Sequence, residues 1–224
     1  MSLKIAITQN VTDPAFLAFC EKNNIELVQV PQIQFKHVKA ELPAPSSFDI
    51  VFFSSRRSVD SFFSQFSLSP EHLVACIGKT TASRLKKYVS KIDFIGEKSG
   101  QPKAVAQQFK AFVGPKTVLF PQSQISNQSM QKALDENQLI NLVTYHTLEV
   151  PTELPIVPDY LIFTSPSNVR AYLSKNKLSA TTAVISWGDT TSDTLAEFEI
   201  TPKITLTTSS FDELIENLKF GLPS

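Results

Sequence analysis

Short runs rich in β-branched and aromatic residues alternate along this chain with segments in which apolar residues return every three or four positions. The first pattern predicts strands and the second predicts helices buried along one face, so their alternation predicts a parallel α/β protein. Ten strands are expected, over residues 4–8, 25–30, 50–54, 73–77, 92–95, 117–120, 139–144, 160–164, 183–187 and 203–206. Val59, Phe62, Phe63 and Phe66 form one helical stripe and Phe211, Leu214, Ile215 and Leu218 another. Asp13-Pro14 and Ser165-Pro166 each place a capping residue before a proline, which suits the first helical position.

The same pattern occurs twice. Phe48-Asp-Ile-Val-Phe-Phe-Ser-Ser55 returns as Pro158-Asp-Tyr-Leu-Ile-Phe-Thr-Ser165, and Gly78-Lys-Thr-Thr81 returns as Gly188-Asp-Thr-Thr191, both at the 110-residue offset that separates Ser55 from Ser165. A repeat this long is a domain rather than a solenoid unit, and 224 residues accommodate two such domains. The copies are not simply in series, because Lys116-Thr-Val-Leu-Phe-Pro-Gln122 reads like Leu3-Lys-Ile-Ala-Ile-Thr-Gln9, a first strand arriving sixth. The expected fold is therefore α/β, with two flavodoxin-like parallel-sheet domains, one inserted in the other and joined by a two-strand connection. Residues 1–32 with 148–224 make the discontinuous domain and 33–147 the inserted one. Paired crossings of this kind can act as a hinge. In such sheets ligands bind beyond the carboxyl ends of the strands, so the repeated motifs are expected to line a cleft.

Composition narrows the function classes. Lys and Arg total 21 and so do Asp and Glu, a balance that gives no reason to expect nucleic acid and leaves an anionic ligand to be met by local donors. No apolar run is long enough to span a membrane. The first residues enter a strand-like run without an export signal, and Cys20 and Cys76 read as small core residues, so a cytoplasmic protein, expected to be a monomer, is the reading.

The candidate binding residues sit at the strand ends: Ser54, Ser55 and Arg56, then Gly78, Lys79, Thr80 and Thr81 in the first copy; Thr164, Ser165 and Asn168, then Gly188, Thr190 and Thr191 in the second. A glycine turn opening a helix exposes backbone N–H groups that bind anions, while the plainer reading is a chain turn with a threonine as helix cap. Gly78-Lys79-Thr80 is not a P-loop, since Leu73 stands where that motif needs its first glycine and Asp189 replaces the lysine in the second copy. His37, His72, His146 and the cysteines show no ligand spacing, so no metal site is expected. His146 reads as a polar residue at a domain crossing or, less simply, as a proton-transfer group. Arg57 and Arg170 read as solvated helix surface, whereas Arg56 and Lys79 lie closer to the strand ends, where an arginine can grip a carboxylate with two parallel bonds.

Asp159-Tyr-Leu-Ile-Phe-Thr-Ser-Pro-Ser-Asn168, Ser186-Trp-Gly-Asp-Thr-Thr191, Val118-Leu-Phe-Pro121, Val143-Thr-Tyr-His-Thr147 and Ser210-Phe-Asp-Glu-Leu214 together resemble the uroporphyrinogen-III synthase family over the whole chain. The resemblance implies a lyase of tetrapyrrole synthesis that closes hydroxymethylbilane, a polycarboxylate, with inversion of its last ring and loss of water. It implies no cofactor and no metal. It makes Tyr145 the candidate for assisting departure of the hydroxyl, against a packing role at the crossing. It places Thr81, Ser165, Thr190 and Thr191 among binding residues. Gln122-Ser-Gln-Ile-Ser-Asn127 departs from the arginine or glycine-rich turn of many relatives, and Ser54-Ser55-Arg56 departs from Thr-Ser-Pro. From the residues alone, a non-catalytic two-domain binding protein for a small anionic ligand fits too, and a scaffold with no ligand is a weaker third reading.

Overall fold

The computed structural model describes residues 2–219. In chain order its elements are β1 (Lys4–Ile7), α1 (Pro14–Lys22), β2 (Glu26–Gln29), β3 (Ile33–His37), β4 (Ile50–Phe53), α2 (Arg56–Phe63), β5 (Leu73–Ile77), α3 (Lys79–Leu85), β6 (Phe94–Gly96), α4 (Pro102–Val113), β7 (Val118–Ser123), β8 (Leu139–Glu149), β9 (Tyr160–Phe163), α5 (Pro166–Leu173), β10 (Ala183–Ser186), α6 (Asp189–Ala196), β11 (Ile204–Thr205) and α7 (Phe211–Lys219). The chain divides into two compact units, Met1–Gln34 with Leu148–Ser224 and Phe35–Thr147. The outermost residues assigned to the discontinuous domain, 1 and 220–224, lie outside the described residues.

The discontinuous unit holds a five-stranded sheet in the order β11-β10-β9-β1-β2, with every adjacent pair parallel. Counted within the unit this is the flavodoxin order, with the switch point between β1 and β9. The inserted unit has the order β3-β8-β7-β4-β5-β6. Leaving out β3, it is the same sheet with its first two strands, β7 and β8, placed last in the chain. The duplicated aspartates show the equivalence: Asp49 accepts from the N–H of Thr117 at 2.8 Å, just before β7, and Asp159 accepts from the N–H of Lys4 at 2.8 Å, at the start of β1.

Each sheet is covered on both faces, which explains why its strands are apolar on both sides. In the discontinuous unit Ile5, Phe16, Ile162 and Leu214 lie in one core cluster and Leu161, Phe163, Val169 and Leu195 in the other. In the inserted unit the two are built on Phe52, Phe109 and Phe120, and on Phe53, Phe62, Cys76 and Leu119. Phe62 is fully buried, and truncating such a ring to alanine costs about 3–5 kcal/mol. Burial pushes the thiols up, Cys20 to about 11 and Cys76 to about 12, and both cysteines are free.

Several expectations need correction. There are eleven strands among the described residues, because β3 forms at the first crossing and joins the edge of β8. The strand expected at residues 92–95 begins only at Phe94, since Ile92 and Asp93 approach β5 through the Asp93 carboxylate, which accepts from the N–H of Val74 at 2.9 Å. The helix carrying the Val59 stripe ends at Phe63, with Phe66 packing against the core from beyond it. No threonine caps α3 or α6; Gly78 and Gly188 occupy the capping positions, without a side-chain bond.

Candidate functional site

In the inserted unit the site residues gather where β4 hands over to α2. Ser55, in extended backbone, caps α2: its Oγ accepts from the N–H of Ser58 at 3.2 Å, and Ser58 Oγ accepts from the N–H of Ser55 at 3.2 Å. This reciprocal pair fixes the direction in which the helix leaves the strand. Arg56 and Arg57 then fall in the first turn, where no acidic residue stands. Two guanidiniums at the positive end of a helix oppose its dipole, an arrangement that favours an incoming anion.

Tyr145, on β8, is buried, with the Ser55 side chain beside its hydroxyl. Its ring meets Phe35 edge-on at 6.1 Å, and the Arg57 guanidinium carbon lies 3.6 Å from the centre of the Phe35 ring. Arg57 is thus exposed yet held in place by a cation–π contact, which at such sites stabilises by about 0.5–1 kcal/mol. Burial raises the pKa of Tyr145 above 10.0, against the lowering effects of the Ser55 bond and the Arg57 charge. The phenol is therefore neutral and a hydrogen-bond donor at ordinary pH.

Beside it, β5 ends at Gly78, whose φ of 85° is the left-handed conformation that disfavours a side chain and whose N–H donates to the carbonyl of Gly96 at 2.7 Å. Lys79 and Thr80 are exposed, while Thr81 is buried in the packing of α3. Ser54 is exposed at the end of β4.

In the discontinuous unit the equivalent turn is uncharged. Ser165 caps α5 and accepts from the N–H of Asn168 at 3.3 Å; the buried Asn168 amide donates to Ser165 Oγ at 2.9 Å and to Thr164 Oγ1 at 3.0 Å. Thr164 is tied in turn to β1, its N–H donating to Thr8 Oγ1 at 3.1 Å. At the next turn Ser186 Oγ donates to the Gly188 carbonyl at 2.8 Å, Thr191 is buried and Thr190 is half-exposed. Asp189 opens α6, so a carboxylate of the chain itself already faces that helix dipole. Arg170 is ion-paired with Glu197 at 3.1 Å.

The structure thus assembles Ser55, Tyr145 and Arg57 and adds Phe35, which the sequence did not suggest because β3 itself was missed. Two signals for the group were present. Ser55-x-x-Ser58 is a capping pair with serine in place of the usual glutamate, and Ile33-Gln-Phe-Lys36 alternates apolar and polar residues. Among the described residues, no three of His, Cys, Asp and Glu are grouped to hold a metal ion, and no helix is long and apolar enough to cross a membrane.

Two doubly wound α/β units, one interrupting the other, define a class of protein whose ligand chemistry lies at strand ends. Within it the chain belongs to the uroporphyrinogen-III synthase family, whose model, described as uroporphyrinogen-III synthase HemD, matches residues 15–216. The reaction of that family is the closure of hydroxymethylbilane to uroporphyrinogen III, with inversion of ring D and loss of water, in haem biosynthesis, and it is the activity of this chain. The solved uroporphyrinogen-III synthetase of Helicobacter pylori is similar over 100% of both chains, with a TM-score of 0.65 at 20% identity. A mutant uroporphyrinogen III synthase of Thermus thermophilus is similar over 98% of each chain, with a TM-score of 0.64 at 15% identity. Both likenesses bear on the fold. No curated protein sequence matches the chain.

Proposed function

We propose that closure of the bilane is assisted here by Tyr145, with the Arg56 and Arg57 end of α2 taking substrate carboxylates. The observation that carries this reading is the buried phenol beside the helix-capping Ser55, with two arginines placed against the dipole of the same helix. The terminal hydroxyl leaves as water when its C–O bond breaks, giving an azafulvene. A hydrogen bond from a neutral phenol to that oxygen stabilises the developing negative charge. The azafulvene is attacked at the substituted carbon of the last ring, and the spiro intermediate fragments and recloses. Because the free bilane can close without inversion, holding the reacting carbons in place matters as much as proton donation.

Ser54, Lys79 and Thr80 are exposed and available to further carboxylates, and Thr164, Ser165 and Thr190 supply hydroxyls on the other unit. Gly78 and Gly188 shape the turns, while Thr81, Asn168 and Thr191 support them from buried positions. The balance of 21 basic and 21 acidic residues supports a small-molecule substrate over nucleic acid, and two buried free thiols support a reducing, cytoplasmic setting. We take the working species to be a monomer. The test is to feed hydroxymethylbilane to the purified protein and separate the products. Type III isomer formed faster than the spontaneous reaction supports the reading, and type I alone at the spontaneous rate overturns it.

A further inference from the structure

We propose that a β-bulge at Thr144, fastened by Gln124, positions Tyr145, and that Gln124 is therefore a positioning residue for the reaction. The inference rests on the role given to Tyr145 above. Along the ladder between β7 and β8, Gln122 pairs with Val143 but Ser123 pairs with Tyr145, so Thr144 is an extra residue with no partner in β7. An inserted residue turns every later side chain to the opposite face. Burial along β8 shows this change of phase: Leu142 and Thr144 are buried and Val143 exposed, after which Tyr145 and Thr147 are buried and Leu148 exposed. Without the bulge, Tyr145 falls on the exposed face with Val143, away from Ser55.

A bulge leaves the ladder weakened just where the phenol is needed. Two contacts restore it. The Thr144 carbonyl accepts from Ser61 Oγ at 2.7 Å, which anchors the bulge to α2, the helix that Ser55 caps. Beyond the bulge, Gln124 replaces the missing ladder with its side chain: Oε1 accepts from the N–H of Thr147 at 3.0 Å, and Nε2 donates to the carbonyl of Thr147 at 2.9 Å. Ser123 Oγ donates to Gln124 Oε1 at 2.7 Å, fixing the orientation of the amide. Gln124 is itself exposed, so its bonds to Thr147 rather than core packing account for its place. Thr144 is fully buried with its hydroxyl unpartnered, an unfavourable arrangement at the bulge itself. In the other unit the equivalent strands, β1 and β2, pair without a break from Lys4 with Glu26 to Ile7 with Gln29.

The experiment compares Gln124→Ala, Gln124→Glu, Tyr145→Phe and the Gln124→Ala/Tyr145→Phe pair. It reads steady-state closure and the NMR signal of isotope-labelled tyrosine Cζ, with Tyr145 assigned by its loss in Tyr145→Phe. Gln124→Ala should lower kcat by about tenfold or more with KM within about twofold, because only the placement of the phenol changes. The Tyr145 signal should move toward that of an exposed tyrosine. Gln124→Glu keeps the acceptor for Thr147 and loses the donor, so it should fall between Gln124→Ala and the parent; it also carries the measurement if Gln124→Ala does not fold. Added to Tyr145→Phe, Gln124→Ala should slow closure by less than about twofold. An unmoved Tyr145 signal, or effects of the two substitutions that simply multiply, would overturn the proposal. If Tyr145→Phe closes the bilane at the parental rate, the catalytic reading falls, and the Tyr145 signal still decides whether Gln124 positions the ring.

Discussion

The strand-end turns of the two units share a backbone and differ in chemistry. Ser55 and Ser165 have nearly the same φ and ψ, −162° and 162° against −167° and 160°, and each accepts from the N–H three residues on. Past that point they diverge. The Ser55 hydroxyl meets the phenol of Tyr145 and is followed by Arg56 and Arg57, whereas the Ser165 hydroxyl meets the amide of Asn168 and is followed by Pro166 and Ser167. At the neighbouring turn Lys79 opens α3 and Asp189 opens α6. Duplication has kept what the helix start demands of the backbone, while the attached charge is lost at the first turn and reversed in sign at the second. On the proposed reading the inserted unit holds carboxylates and donates a hydrogen bond to the leaving oxygen, while the discontinuous unit offers neutral hydroxyls.

Exchanging charges is the strongest way to break this comparison. The pair Arg56→Gln/Arg57→Gln should raise KM by about a hundredfold, as expected for losing two charge-assisted bonds, each worth about 1.5–3 kcal/mol at most. Arg170→Gln, which removes only an exposed ion pair with Glu197, should change KM by less than about twofold. Equal effects in initial-rate measurements would show that charge is not what distinguishes the units. Thr190→Val, in the neutral turn, should raise KM by about threefold, in keeping with one neutral hydrogen bond; no change would leave Thr190 a purely structural residue.

Stability should be less discriminating. Ser55→Ala and Ser165→Ala each remove a helix cap and should each cost about 1 kcal/mol in denaturant unfolding. A much larger loss at Ser55 would mean that its contact with Tyr145 is structural. Alkaline pH should separate the units weakly. Unfolded thiols ionise near pH 9.0, whereas Cys20 holds its proton to about 11 and Cys76 to about 12. Stability is therefore complete below pH 9 and falls as pH rises toward the folded values, by at most about 1.4 kcal/mol per thiol per pH unit. Cys76→Ala should flatten that decline over a wider pH range than Cys20→Ala; identical profiles would contradict the deeper burial of Cys76.

The α/β alternation, the duplication and the permuted first strand at Lys116 were legible because they are properties of local pattern. So were the caps at Asp13, Ser165 and the stripe of α7, since each depends on residues within one or two turns. What escaped was non-local. β3 is a short edge strand with Lys36 and His37 exposed, so it lacks the apolar run that marks buried strands. The phase change in β8 comes from pairing with β7, and nothing in Val143-Thr-Tyr-His-Thr147 marks it. Arg57 is exposed on its helix as expected, but its partner, Phe35, lies on that unrecognised strand. Thr81 and Thr191 sit in turns with the composition of anion sites, yet the path of each helix turns them inward.

The central claim is that the inserted unit does its chemistry through Tyr145, and single-turnover closure of hydroxymethylbilane by Tyr145→Phe tests it most directly. The substitution removes one hydroxyl and keeps the ring against Phe35, so the rate should fall about a hundredfold while the product remains the type III isomer. Closure at the parental rate would contradict the claim.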